Sequence, residues 1–552
     1  MIDDLWYKNA VIYSLDLETF MDGNGDGCGD FAGLNCRLDY LDSLGVDTVW
    51  LAPFQPSPNR DNGYDITDFY GVDPRHGSSG DFVEFVQRAK AAGIRVIIDL
   101  VVNHTSDRHP WFQAARRDED SRHRDFYIWS KTRPPRADEG MVFPGVQKSV
   151  WTRDSKAHAY YHHRFYDFQP DLNMDNPEVR AEIRRIMGYW LELGVSGFRV
   201  DAVPFVIEST PHGRAKSRLR FDYLAEMRSM LDWRGGNTVL LGEANVLPRE
   251  TQRYFGRHGD GIHMMFNFFV NQHAFLSLAT ADSRPLAKAL TATAGLPDGA
   301  QWAHFLRNHD ELDLGRLNER DRQKVFDRYG ADPDMQLYHR GLRRRLAPML
   351  SDRRQLELAY SLLFSLPGAQ VIRYGDEIGM GEDLSQPERK AVRTPMQWNP
   401  TRNAGFSSAR RLVQPVISGG PYGYERINVE AQRRDPNSLL NWMVNIIRLR
   451  KECPEIGWGK ITVLPTGHQS VLGVQYEWRG NRLVMLHNFA DHPLEVRLRL
   501  PGVDYLTNLL QATGDRATRG GSFRLGIEEL GYRWFRVGRQ AYGAGPSATA
   551  MS

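Results

Sequence analysis

Apolar residues return along most of this chain in two alternating rhythms. Short, nearly continuous apolar runs, the pattern of strands buried on both faces, are separated by stretches in which apolar side chains recur at helical spacing. Runs centred on Val11, Val49, Val96, Phe198, Val239, His263, Phe305 and Val371 read as eight strands. Between the first runs, Phe31, Leu34, Leu38, Leu41 and Leu44 mark one helical face, and Phe82, Phe85, Val86 and Ala89 mark another that stops at Gly93. The most complete helix signal starts at Asn176, a capping residue, with Pro177 at the first helical position. Its apolar series runs through Ile183, Ile186, Met187, Trp190 and Leu191 and stops at Gly194. Strand alternating with helix predicts a parallel sheet, and eight such units, closed by a helix over 435–451, predict an α/β chain built on a (β/α)8 barrel.

The rhythm breaks in two places. Over 104–174 neither period holds, while His, Trp, Tyr and Arg are abundant. Long irregular excursions inside an ordered chain are usually functional, so this reads as an inserted domain. A second break, over 311–349, is rich in Arg and Asp and reads as an inserted lid or subdomain. The barrel is accordingly expected from 1–103 and 175–457. Past residue 458 short alternating strands appear, among them Val471-Leu472-Gly473-Val474-Gln475-Tyr476 and Leu483-Val484-Met485-Leu486, with a Gly480-Asn481 turn between them. They predict a C-terminal antiparallel β-sandwich over 458–537. The Gly-, Ala- and Ser-rich tail, 538–552, is expected to be disordered.

Composition narrows the function classes. At 552 residues several domains are expected. With 70 basic against 68 acidic residues the net charge is only +2, which implies no nucleic acid or other polyanion partner. Aromatic residues make up 11%, with 13 Trp and 22 Tyr, enough to supply stacking faces for sugar rings beyond the needs of a core. Cys28, Cys36 and Cys453 build neither a disulfide framework nor a zinc site, and a reducing cytoplasm fits them best. No apolar stretch has the length of a signal or a membrane span, so export by the usual route and membrane partners are not expected. A homo-oligomer is left open.

Candidate chemistry sits where strands end. In Gly197-Phe198-Arg199-Val200-Asp201 a buried strand ends on a carboxylate, with Arg199 two residues back on the same face. Ligands collect at such ends in parallel barrels. An Arg and an Asp this close can also simply satisfy each other, but polar strand ends recur at Asn103-His104, at Glu243 and at Asn308-His309-Asp310. A further loop, Asp22-Gly23-Asn24-Gly25-Asp26-Gly27-Cys28-Gly29-Asp30, spaces oxygen ligands between glycines as a hard cation requires. Calcium is the expected ion, and magnesium could occupy the same loop.

Those four polar strand ends, in this order, resemble the signature stretches of the α-amylase superfamily, and the resemblance covers about the whole chain. It implies a retaining enzyme acting on α-glucosides. Asp201 is then the nucleophile, Glu243 the acid/base, and Asp310 the third carboxylate, which holds sugar hydroxyls. Arg199 is expected to keep Asp201 ionised by lowering its pKa. By the same resemblance His104 and His309 hydrogen-bond the ring under attack, and Tyr64, Asp65, Gln169 and Arg393 form a blind pocket for one terminal glucose. Asn103, Asp171 and Glu208, with the carbonyls of Phe205 and Val206, resemble a second calcium site.

Within the superfamily, the run Phe305-Leu306-Arg307-Asn308-His309-Asp310-Glu311-Leu312 is similar to enzymes that isomerise maltose to trehalose. So are Arg343-Arg344-Arg345-Leu346-Ala347-Pro348, Gly375-Asp376-Glu377-Ile378-Gly379-Met380-Gly381, and Val392 to Trp398 followed by Arg402-Asn403-Ala404-Gly405-Phe406. The chain departs from them at Val246-Leu247-Pro248, over 264–272 and at Arg373, positions expected near the acceptor side. The expected activity is isomerisation of a small disaccharide through a covalent glucosyl-Asp201 intermediate, with glucose as by-product. A hydrolytic α-glucosidase is the alternative. Isomerisation requires a closed pocket, and the two breaks in rhythm are expected to close it, with His163 and Gln169 on one side and Glu311, Arg343, Arg344 and Arg345 on the other.

Overall fold

The eight apolar runs become strands because each is buried from both sides: β1 (Val11–Leu15), β2 (Thr48–Leu51), β3 (Arg95–Leu100), β4 (Gly197–Val200), β5 (Val239–Gly242), β6 (Met264–Phe266), β7 (Gln301–Phe305) and β8 (Ala369–Arg373). In the computed structural model, which describes residues 3–209, 218–511, 513–518 and 521–538, they pair in sequence order, and β8 returns to β1 to close the barrel. All pairings are parallel, with Val11 opposite Gln370 at the closure.

Alternation along each strand sorts side chains between two cores. Ile12, Trp50, Ile97, Leu241, Phe266, Phe305 and Val371 fill the barrel interior, while Val11, Tyr13, Val49, Val96, Ile98 and Phe198 face the surrounding helices. On β4 the inward parity falls on Arg199, so a charge enters the interior at its carboxyl end.

The helix Pro177–Glu192 forms as its signals require: Asn176 accepts from the Glu178 N–H, and Val179, Ile183, Ile186, Met187 and Trp190 are buried. Ser78 and Asp81 make a reciprocal cap for Ser79–Ala91. One of the expected helical faces, the first, divides in the structure. It becomes Phe31–Asn35 and Leu38–Leu44, broken at Arg37, whose guanidinium lies 4.1 Å from the Trp398 ring centroid. The closing helix, expected over 435–451, starts later, as Leu439–Lys451 behind the Ser438 cap, and a separate helix, Val429–Arg434, precedes it.

The segment between β3 and β4 is more ordered than its sequence suggests. It holds a helix, Pro110–Arg117, and an antiparallel sheet of Trp129–Ser130, Ala159–His162 and Trp151–Asp154. Strands of two to four residues are too short to show a period. After β7, the helix Glu319–Tyr329 and three two-residue strands make the second insertion.

Beyond Trp458 a six-stranded and a two-stranded antiparallel sheet enclose Val484, Leu486, Val496, Leu498, Phe523 and Phe535. The tight turn lies one residue earlier than expected. Trp478 pairs with Asn481, so Arg479 and Gly480, both at positive φ, form the turn. Apart from Gly538, which ends the last strand, the tail lies outside the described residues. Among the described residues no helix is long and apolar enough to cross a membrane.

Candidate active site

A cavity of about 460 Å³ opens at the carboxyl ends of the barrel strands. Asp201, Glu243 and Asp310 all line it, together with Tyr64, His104 and His309. Below them one buried guanidinium organises the floor: Arg199 Nη1 lies 2.6 Å from Asp201 Oδ1 and 3.2 Å from Asp99 Oδ1, and Nη2 lies 2.8 Å from Glu243 Oε2. The turn after β4 strengthens the link. Ala202 takes a left-handed backbone, φ 49°, and donates its N–H to Glu243 Oε2 at 3.1 Å.

The electrostatics separate the three carboxyls. Burial pushes Asp201 up to about 6; Arg199 pulls it down, and Asp99 and Asp310 push it further up. Burial thus outweighs the lowering that Arg199 was expected to give and does give, and the one guanidinium is shared among three buried carboxylates. Burial raises Glu243 to about 7 against Arg199, with Asp201 and Asp310 adding to the rise. Burial also acts to raise Asp310, yet its carboxyl is held well below the ordinary range. The His309 contact at Oδ2 pulls it down, together with Arg389 and Arg393 at 2.8 and 2.9 Å from Oδ1. His309, pushed down to about 4 by burial, is neutral. Its Nε2 meets the Tyr64 hydroxyl at 2.8 Å and Asp310 Oδ2 at 3.1 Å, and the two rings stack with centroids 5.6 Å apart. Tyr64 in turn donates to Asp99 at 2.8 Å.

Several expected site residues stand one step away. Asp65 is fully buried outside the cavity, where it accepts from Ser57 Oγ at 2.9 Å and from the N–H of Asp61 and Arg60. It folds the loop that presents Asp61, and Asp61 is the acid that reaches the cavity. Gln169 donates to Asp61 Oδ2 at 3.0 Å from behind. Arg393 is buried beneath Asp310 and also donates to the His309 carbonyl, whereas Arg389 faces the cavity and bridges Asp310 to Asp61, 2.9 Å away. Sequence reading missed Asp61 and Arg389, although each lies four residues from one it singled out. Of the three departures, Val246 and Phe268 line the cavity, but Arg373 is buried in an ion pair with Asp16 at 2.6 Å.

Of the residues expected at the mouth, Glu311 lines the cavity, while the others bond elsewhere. Arg343 donates to the carbonyls of Gln386 and Leu384, Arg344 pairs with Glu382, and Arg345 bonds the Tyr374 and Val392 carbonyls. His163 is buried against Thr152 and the Phe165 carbonyl. Arg340 makes the crossing: Nη1 donates to the Val142 carbonyl of the first insertion at 2.7 Å, and Nη2 to Glu311 Oε1 at 3.2 Å. Burial raises Glu311 to about 7, with Asp310 adding and Arg340 opposing.

The two expected metal sets differ. In the loop after β1, Asp22 accepts from the Asn24, Gly25 and Gly27 N–H groups, and Asp30 from those of Gly23, Asn24 and Gly33. Burial raises Asp30, and its acidic neighbour Asp22 adds to the rise. With oxygens from Asn24 and Asp26 and the carbonyl of Cys28, this donor set fits a hard cation by type and charge. In the second set Asp171 already meets His162 at 2.9 Å and the Asn103 amide at 3.1 Å, while Arg164 pairs with Glu208 at 2.7 Å and lies over the Phe205 ring. An arginine thus supplies positive charge beside Phe205 and Glu208, so this set, with Val206, fits a metal poorly. Among the described residues no group of three or more His, Cys, Asp or Glu side chains is placed to hold an ion.

Known proteins agree with this geometry. The alpha amylase catalytic domain matches residues 16–459, and a sucrose hydrolase-like C-terminal domain matches 480–536. A trehalose synthase of Thermus thermophilus is 44% identical over 90% of the chain, which spans only 52% of that longer protein. The trehalose synthase/amylase of Mycobacterium tuberculosis is 40% identical over 99% of this chain and 92% of its own. The crystal structure of an alpha-amylase from H. orenii superposes with a TM-score of 0.76 at 27% identity, covering 96% of this chain and 100% of that one. With a closed barrel, four polar strand ends on one cavity, and a catalytic-domain match across most of its length, the chain belongs to the alpha-amylase family.

Proposed function

We propose that this chain transfers an α-glucosyl unit between small sugars with retention, and that its main reaction interconverts maltose and trehalose. Asp201 attacks the anomeric carbon while Glu243 protonates the departing glycosidic oxygen, so that glucose is released and the glucosyl group becomes an ester of Asp201. Glu243, now a carboxylate, takes the proton of the retained glucose's anomeric hydroxyl as that oxygen displaces Asp201, giving trehalose. Water entering instead gives a second free glucose. Asp310, kept charged by two arginines, faces the positive charge that develops on the ring. Tyr64, His104 and His309 hold the same ring, and Asp61 with Arg389 closes its far side, which suits one terminal glucose better than a polymer.

The observation that carries this reading is the Arg199 guanidinium bonded to both Asp201 and Glu243. It ties the nucleophile and the acid into one unit and leaves Glu243 the more readily protonated of the two. The Arg340 crossing favours transfer over loss to water, because a closed mouth retains the leaving glucose. Hydrolysis of maltose, sucrose or short malto-oligosaccharides is the second reading, favoured by the amylase half of one relative's name. The loop of Asp22, Asn24, Asp26, Cys28 and Asp30 would hold calcium, or magnesium, as a structural tie outside the reaction. Three unpaired cysteines suit a cytoplasmic enzyme.

The test is incubation with maltose and with trehalose separately, followed by chromatography. Each is expected to yield the other, with glucose as the minor product. Glucose alone from maltose at every time point would overturn isomerisation in favour of hydrolysis.

A further inference from the structure

Glu388 lies in the loop after β8, one residue before Arg389, with its backbone in the left-handed region at φ 44°. It does not line the cavity. Its Oε2 instead accepts two tyrosine hydroxyls at once, from Tyr166 at 2.7 Å and from Tyr338 at 2.8 Å. These tyrosines are rooted far apart in sequence: Tyr166 belongs to the insertion between β3 and β4, and Tyr338 to the insertion after β7. Tyr338 and its neighbour His339 also hold left-handed backbones, φ 55° and 58°, so the tip that presents this hydroxyl is strained. Phe143 packs between the two tyrosine rings, with centroids 4.9 Å from Tyr166 and 4.8 Å from Tyr338, and the Arg389 guanidinium lies 5.0 Å from its own. Val142, which receives the Arg340 bond, is the residue before Phe143.

Three segments distant in sequence therefore meet at one carboxylate oxygen, over an aromatic cluster of which Phe143 lines the cavity. The residue that follows holds Asp310 and Asp61. Left-handed backbone at a non-glycine residue persists only where its surroundings enforce it; at Glu388 the Lys390 N–H closes the turn onto the Pro387 carbonyl and the two tyrosines hold the side chain.

We infer that Glu388 is a positioning residue that latches both insertions over the glucosyl site and so decides whether sugar or water intercepts the Asp201-bound glucosyl group. The inference rests on the transfer reading above. It concerns only the second half-reaction, in which the Asp201 ester breaks and the new bond forms either to a sugar hydroxyl oxygen or to water, with the proton passing to Glu243 in both cases. An aryl α-glucoside isolates the first half-reaction, because its leaving group needs little help from a retained sugar. The latch should therefore alter product partition without altering aryl release.

The experiment supplies an aryl α-glucoside with glucose as acceptor, follows aryl release, and measures the ratio of free glucosyl product to disaccharide with isotopically labelled donor. Glu388→Ala is expected to raise that ratio about fivefold, while aryl release stays within about threefold of the parent. Tyr166→Phe and Tyr338→Phe each remove one tie and should raise it less. Combined with Glu388→Ala they should add nothing, since all three act through one oxygen. An unchanged ratio in folded Glu388→Ala, with a parent that transfers, overturns the inference alone. A ratio that rises only with an equal collapse of aryl release also overturns it, because the residue would then merely support the reacting carboxylates. A parent that forms no disaccharide with any acceptor overturns the transfer reading, and this inference with it.

Discussion

The two ends of the cavity are built in different ways. At the inner end Asp201, Glu243 and Asp310 stand at or just past barrel strand ends, flanked by parallel neighbours and locked through Arg199, Arg389 and Arg393. At the mouth, Arg340, Glu311, Phe143 and Val142 come mostly from insertions whose own strands are two to four residues long. A rigid floor suits bond cleavage, where small displacements are costly. A mouth held by a few cross-segment bonds can open for entry and close for transfer. The floor should therefore set whether a glucoside is cleaved, and the mouth what becomes of the glucosyl group.

Changes to the floor should have the largest effects. Asp201→Asn removes the attacking oxygen, and Glu243→Gln the proton donor, so turnover on maltose should fall by on the order of 10³-fold or more in each. Melting curves should confirm that both variants fold. Near-parental turnover in either would break the distinction between floor and mouth.

The same floor sets the pH dependence. Asp201 works ionised, so kcat/KM should rise with pH through about 6. Glu243 works protonated, so kcat/KM should fall as pH rises through about 7. The two groups share Arg199 and titrate as a pair, so the limbs of the bell belong to both. A profile flat from pH 5 to 8 would show that the floor does not govern the rate.

Legibility in the sequence follows the same division. Strand ends carry their chemistry in short contiguous runs, such as Arg199 to Asp201, and buried parallel strands announce themselves by apolar continuity. All eight strands and the three carboxylates on one cavity could be read that way. The mouth depends on contacts between segments distant in sequence, such as Arg340 with Val142, which no local pattern encodes. Arg343, Arg344 and Arg345 looked better placed because they cluster, yet their partners are carbonyls, Glu382 and Asp376, away from the opening. Asp65 was named from the resemblance, yet the fold uses it to shape the loop that presents Asp61.

Arg340→Ala should shift products with a smaller effect on cleavage. It removes the bond to Val142 and the ion pair with Glu311, the larger of two cationic influences on that carboxyl. Glu311, buried and already raised, would then take up a proton rather than hold the mouth. The ratio of glucose to trehalose from maltose should rise about threefold, and Glu311→Ala should move it the same way by less. Quantified sugar chromatography reads both. If Arg340→Ala instead stopped cleavage outright, the mouth would belong to the catalytic floor.

The smallest effect on activity is expected from the loop after β1, which belongs to neither end of the cavity. Its carboxylates are turned onto its own backbone and onto Ser407, and the Val413 N–H donates to the Gly27 carbonyl, so the loop ties the start of the barrel to the 406–413 run. Asp22 and Asp30 are buried close enough to repel, a cost that a bound divalent ion would remove. Asp22→Ala combined with Asp26→Ala should therefore lower the melting temperature by a few degrees, with both the cleavage rate and the ratio of glucose to trehalose near parental values. Chelator should lower the parent's melting temperature similarly, and leave the double variant unmoved because it has no ion to lose. Elemental analysis that finds no divalent metal, with a parental melting temperature indifferent to chelator, would mean that the backbone N–H groups alone balance these acids.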